Sequence, residues 1–137
     1  MRLYVDANPI IYAFEAEPPL RAAALEWLAQ ARFDPSIELV TSRLTRLEVR
    51  CQPMRLGQLA LLNLYDSFLG NPALDVVTVN DAVIEAATLL RARRAGAADA
   101  IHIATATESR CDAVLTKDGE WKKFFPGRII VVGVDRP

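Results

Sequence analysis

Arg2-Leu3-Tyr4-Val5-Asp6-Ala7-Asn8-Pro9-Ile10-Ile11-Tyr12 decides how the rest of the chain is read. A run of β-formers ends on a carboxylate, and Asn8-Pro9 then reads as a helix start: a capping side chain followed by proline at the first helical position. With Asn8 as the cap, Asp6 stands at the carboxyl end of a strand with no local structural job. In an open parallel sheet that end is where ligands are held. The plain alternative is that Asp6 is a turn residue.

Downstream, the apolar pattern alternates between helix-like and strand-like periods. Pro18-Pro19 opens a helix to about Arg32, with Leu20, Ala24, Trp27, Leu28 and Ala31 on one stripe, and Asp34-Pro35 closes it. A strand over 37–40 follows, then a helix capped by Thr41 or Ser42 and ended by Pro53. The next helix, 54–69, carries two apolar stripes, one with Leu61, Leu64, Tyr65 and Phe68 and one with Leu59, Leu62 and Leu69. Residues 74–79 read as a strand covered on both faces, 81–95 as a helix stopped by Gly96, and Asp99 to Ser109 as another helix. Strands at 113–116 and 129–134 flank a brief helical turn over 119–125. The expectation is a three-layer α/β domain over residues 1–137, a mostly parallel five-stranded sheet with helices on both faces.

A chain of 137 residues with 52% hydrophobic content has enough material for one packed core. Sixteen basic against seventeen acidic residues leave a net charge of -1, so any nucleic acid must be met by a local patch rather than by bulk charge. Cys51 and Cys111 fit neither a metal spacing nor a disulfide framework. No signal peptide or bilayer-length apolar run is visible, and the expected setting is a reduced cytoplasm without membrane attachment.

Three further acids stand out. On a helical wheel at about 100° per residue, Glu48 falls with Leu44, Leu47 and Cys51, opposite Arg43, Arg46 and Arg50. A carboxylate on an apolar stripe needs a partner; a capping box from Thr45 to Glu48 is the rival explanation. Asp99 reads as a first-turn acid, yet it shares its side with Ile103 and Ala106. Asp118, in Leu115-Thr116-Lys117-Asp118-Gly119, reads as a turn residue but repeats the placement of Asp6 past a strand. If the two strands are neighbours, both acids open into one crevice. Four converging carboxylates repel unless a cation sits among them, and Mg²⁺ or Mn²⁺ is the natural guest.

Together, Val5-Asp6-Ala7-Asn8 with Tyr12, Glu48, Ala98-Asp99-Ala100-Ile101-His102-Ile103-Ala104-Thr105-Ala106 and Leu115-Thr116-Lys117-Asp118 resemble the PIN-domain family, most of all its small VapC-type toxins. The resemblance covers nearly the whole chain. It implies a Mg²⁺- or Mn²⁺-dependent endoribonuclease that leaves a 5′-phosphate and a 3′-hydroxyl. Asp6, Glu48, Asp99 and Asp118 would form the acidic quartet and hold the metal, with Asn8 and Thr116 beside them. It also implies an RNA substrate, a homodimer and a cognate antitoxin.

Among the basic residues, Lys122, Lys123 and Arg128 are the expected RNA contacts. Arg43, Arg46 and Arg50 read as a solvated face, and Arg91, Arg93 and Arg94 as complements to a helix dipole. His102 reads as packing or support behind the acids. Two other functions fit parts of the pattern: a non-catalytic RNA- or protein-binding module on the same fold, and a receiver-like phosphoacceptor domain.

Overall fold

The computed structural model describes residues 1–137 and centres on β1 (Arg2–Val5), a strand whose side chains alternate between two apolar layers. Leu3 and Val5 face a core with Ile10, Trp27, Val49, Tyr65 and Leu69, while Tyr4 faces Ile103, Ala106, Val114 and Trp121 on the other side. α1 (Ala7–Glu15), α2 (Pro18–Phe33), α3 (Arg43–Arg55) and α4 (Leu59–Leu69) contribute to the first layer, α5 (Asp81–Ala92) and α6 (Ala97–Glu108) to the second. Both faces are thus covered, as a parallel sheet requires.

The other strands are β2 (Glu38–Ser42), β3 (Leu74–Val77), β4 (Ala113–Thr116) and β5 (Arg128–Val131), all parallel, in the order β3-β2-β1-β4-β5. The chain builds outward from β1 through β2 to β3, then returns to place β4 on the opposite side of β1. That reversal opens a crevice at the carboxyl ends of β1 and β4. A receiver-like sheet has strand order 2-1-3-4-5; the observed order rules that alternative out.

Several boundaries differ from the sequence reading, each for a local reason. α1 starts at Ala7, and its cap is Asp6, whose Oδ1 accepts from the Ala7 N–H at 2.7 Å. Asn8 and Pro9 lie inside the first turn, where the backbone N–H groups have no helical acceptor and proline costs nothing. Pro53 does not end α3, because its missing N–H forfeits only one bond near the helix terminus. Gly57, at φ +68°, makes the break, and α4 begins at Leu59. In the same way α5 stops at Ala92 with Arg94 left-handed at φ +73°, and Gly96 becomes the N-cap of α6. β3 is an edge strand and only partly buried, not covered on both faces. The two stripes of α4 resolve into one buried band of Leu62, Tyr65 and Leu69, while Leu59 and Leu64 are exposed.

Candidate functional site

Asp6 is the fixed point of the crevice. It is 4% exposed, and both its oxygens are engaged: Oδ1 by the Ala7 N–H, Oδ2 by the Thr116 hydroxyl at 3.0 Å. Thr116 ends β4, and its Oγ1 also accepts from the Asp118 N–H at 3.2 Å, which ties the two strand ends together. Asp118 in turn caps the 3₁₀ turn Gly119–Lys123 through the Glu120 N–H at 2.8 Å. The neighbouring-strand condition is met, since β1 and β4 pair directly. Asn8, expected beside the acids, makes no hydrogen bond to any of them.

Glu48 reaches the same place by a different route from the one its wheel suggested. The inward face of α3 is Thr45, Val49 and Pro53, whereas Leu47 and Cys51 are exposed. Thr45 can face inward because its hydroxyl pairs with that of Thr41 at 2.8 Å, and Thr41 donates onward to the Val5 carbonyl at 2.7 Å. Glu48 flanks this face and finds its partner in His102: Oε1 lies 2.5 Å from Nε2. The capping-box alternative fails, because Ser42 caps α3 through the Leu44 N–H at 3.0 Å.

His102 is 1% exposed and sits among the acids. Its Nε2 is 3.6 Å from Asp6 Oδ1, its Nδ1 is 2.5 Å from the Tyr4 hydroxyl, and its ring stacks on Trp121 with centroids 6.2 Å apart. Tyr4 was invisible as a site residue in the sequence, where it reads as one more β-former in a buried run. The available signal was that a tyrosine buried in a central strand must find a hydrogen-bond partner.

Asp99 lies in the first turn of α6, on the side of Ile103 and Ala106, both buried. It shares a cavity of about 320 Å³ with Asp118, Trp121, Arg93, Arg94 and Lys123. The buried Trp121 indole N–H faces Asp99 without making a full hydrogen bond. Burial raises the Asp99 pKa, the negative charge of Asp118 raises it further, and His102 and the Trp121 indole oppose both. Asp6 is also raised, chiefly by burial, against His102 and its two hydrogen bonds. Burial works against a charged His102, but Glu48 and Asp6 outweigh it and the histidine is raised overall. The four acids and His102 therefore lie within one electrostatic neighbourhood. No three carboxylate, histidine or cysteine side chains stand close enough to hold one ion between them.

The basic residues sort differently from expectation. Arg46 and Arg50 brace α3 to α4 through Asp66, at 3.1 and 2.9 Å, so they are not a free solvated face. Arg93 lies over the Phe124 ring at 5.3 Å and donates to the Lys123 carbonyl at 2.7 Å, joining the end of α5 to the loop after Asp118. Arg94 makes no ion pair and lines the cavity. Lys123 lines it too, paired with Glu120. Arg128 opens β5 opposite Ala113, at the other end of the sheet from Thr116, and is no neighbour of the acids. Three strand steps separate the two ends, roughly 10 Å.

A family model described as PIN domain matches residues 3–124. The chain belongs to the PIN-domain family. Several solved structures share the fold of this PIN domain. Its fold is similar to VapBC2 from Rickettsia felis, bound to a DNA fragment from their promoter, with TM-score 0.73, 16% identity, and 95% of this chain and 98% of that one covered. FitAcB from Neisseria gonorrhoeae gives TM-score 0.72 at 18% identity over 93% and 96% of the two chains. Mycobacterium tuberculosis VapC20, a sarcin-ricin loop cleaving toxin, gives 0.71 at 17% identity over 88% and 93%. No curated protein matches the chain.

Proposed function

We propose that residues 1–137 act as one metal-dependent endoribonuclease domain, the toxin of a VapC-type toxin–antitoxin pair. The observation that carries this reading is the gathering of Asp6, Glu48, Asp99 and Asp118 around the carboxyl ends of β1 and β4, with a basic-rimmed cavity in front. The donor set suits a hard divalent cation. Asp99 and Asp118 repel across the cavity, and Mg²⁺ or Mn²⁺ needs only one or two protein carboxylates because it keeps several waters. That also accommodates the absence of a ready three-ligand cluster.

Asp99 and Asp118 would hold the ion from the cavity wall, with Glu48 offering its free carboxylate oxygen and Asp6 completing the negative field. Bound there, such an ion supplies an activated water and steadies the leaving oxygen of a phosphodiester. Thr116 keeps Asp6 and Asp118 in register. Arg93, Arg94 and Lys123, with Lys122 beside them, offer the RNA backbone its positive wall.

The partner is a cognate antitoxin, in line with the similar fold of a toxin–antitoxin complex from Klebsiella pneumoniae. An apolar groove of about 490 Å³, lined by Phe14, Leu25, Leu28, Phe33 and Phe68, suits an apolar antitoxin helix, and Phe33 is 81% exposed on its edge. No helix is long and apolar enough to cross a membrane; the proposed setting is the cytoplasm, as a homodimer. The test is RNA cleavage that stops on chelation, returns with Mn²⁺, and is lost in Asp6→Asn with RNA binding retained. Binding without cleavage under either metal makes the chain a non-catalytic RNA-binding module.

A further inference from the structure

Behind the acids runs a column of three polar side chains that a hydrophobic core has no use for. Tyr4, in the middle of β1, is fully buried, and its hydroxyl is 2.5 Å from His102 Nδ1. On the other edge of the ring, Nε2 is 2.5 Å from Glu48 Oε1. A leucine would fill the space of His102 without two polar atoms to satisfy, each costing about 1–3 kcal/mol if left unpaired.

Hydrogen positions follow from the inventory of donors and acceptors. The Glu48 carboxylate can only accept, so the Nε2 facing it carries the ring hydrogen; the Thr41 hydroxyl beside Tyr4 spends its own hydrogen on the Val5 carbonyl. In the neutral ring Nδ1 is then the acceptor, and the Tyr4 hydroxyl donates to it. Glu48 Oε1 is thereby occupied, while Oε2 has no partner in the protein.

We propose that Tyr4 and His102 are positioning residues: Tyr4 selects the histidine tautomer, and His102 turns Glu48 toward Asp6 with one carboxylate oxygen left for a divalent cation. The cation half rests on the nuclease reading above; the hydrogen-bond column stands without it. Side chains that orient a metal-binding carboxylate or histidine from behind typically change metal affinity by about 10–100-fold.

His102 is the only histidine in the chain, so the ¹⁵N-labelled full-length protein gives a single imidazole to assign by NMR. With the ring neutral at mildly alkaline pH, the hydrogen is expected on Nε2; a hydrogen on Nδ1 alone overturns the relay. Mn²⁺ titration supplies the second arm. His102→Leu and Tyr4→Phe should each weaken Mn²⁺ binding by about 10-fold, while His102→Gln, which keeps an N–H near Glu48, should lose less. A folded Tyr4→Phe or His102→Leu that binds Mn²⁺ as the wild type does overturns the positioning role. Should His102→Leu fail to fold, Tyr4→Phe, a single-oxygen change, decides. Wild type that binds no Mn²⁺ refutes the metal-dependent reading, and the tautomer then judges the column alone.

Discussion

On one side of the crevice, Asp6 is bonded to Ala7 and Thr116, and Glu48 is bonded to His102; on the other, Asp99 and Asp118 line an open cavity. The first pair has its charge answered by the fold. In the second pair Asp118 is held only by the Glu120 N–H, and the two acids otherwise face each other, three basic residues on the rim and the Trp121 indole edge. Building a charged site this way divides the labour. One half is tied down by hydrogen bonds before any ligand arrives, and the other carries a repulsion that the proposed cation would relieve.

The hardest test of that division is catalytic. Asp118→Asn should lower kcat/KM for RNA cleavage by on the order of 1000-fold, the several kcal/mol that a Lewis-acid cation supplies. A change of only a few-fold would make the open pair mere turn residues.

Stability separates the halves next. Without metal, Glu48→Gln removes the charged partner of His102 and should lower Tm by about 4 °C, roughly the effect of 1 kcal/mol in a domain of this size. Asp99→Asn should raise Tm by about 2 °C after solvent screening, because it removes the repulsion from Asp118. Asp6, Asp99 and His102 are all raised in the folded state, which therefore holds their protons more tightly than the unfolded chain does. Their contribution is complete below the unfolded values, about 4 for the aspartates and about 6.5 for the histidine, and is lost as pH rises through the folded ones. Metal-free Tm should fall from about pH 5 upward, and saturating Mn²⁺ should flatten the fall. A metal-free Tm that rises over that range would contradict the strained-acid picture.

The smallest effects concern the rim. Arg94→Ala should raise KM a few-fold and reduce the salt slope of RNA binding by about 1. Arg128→Ala, at the far end of the sheet, should leave both unchanged. Equal losses in the two would move the RNA path away from the cavity.

Much of this was legible in the sequence because it is local. Strands announced themselves as apolar runs, and Asp6 and Asp118 as acids just past strand ends. Glu48 was found for a reason that did not hold, since the apolar residues Leu47 and Cys51 face solvent while Thr45 faces inward. A hydroxyl chain from Thr45 through Thr41 to the Val5 carbonyl makes that burial affordable, and periodicity cannot see it. Tyr4 and His102 escaped as a pair because 98 positions separate them and each has a bland local explanation. Arg93 and Arg94 read as dipole complements, but the left-handed turn at Arg94 redirects the chain so that both line the cavity. Pro53 drew attention that belonged to Gly57.

The place of β4 in the sheet has a consequence for when the site comes into being. Asp6 meets its hydroxyl partner only when Thr116 docks beside β1, so more than a hundred residues must be made and folded between the first acid and its anchor. A growing or truncated chain that lacks this late strand carries Asp6 and Glu48 but has no assembled cleft. The crevice between the two strand ends exists only once that late strand is seated.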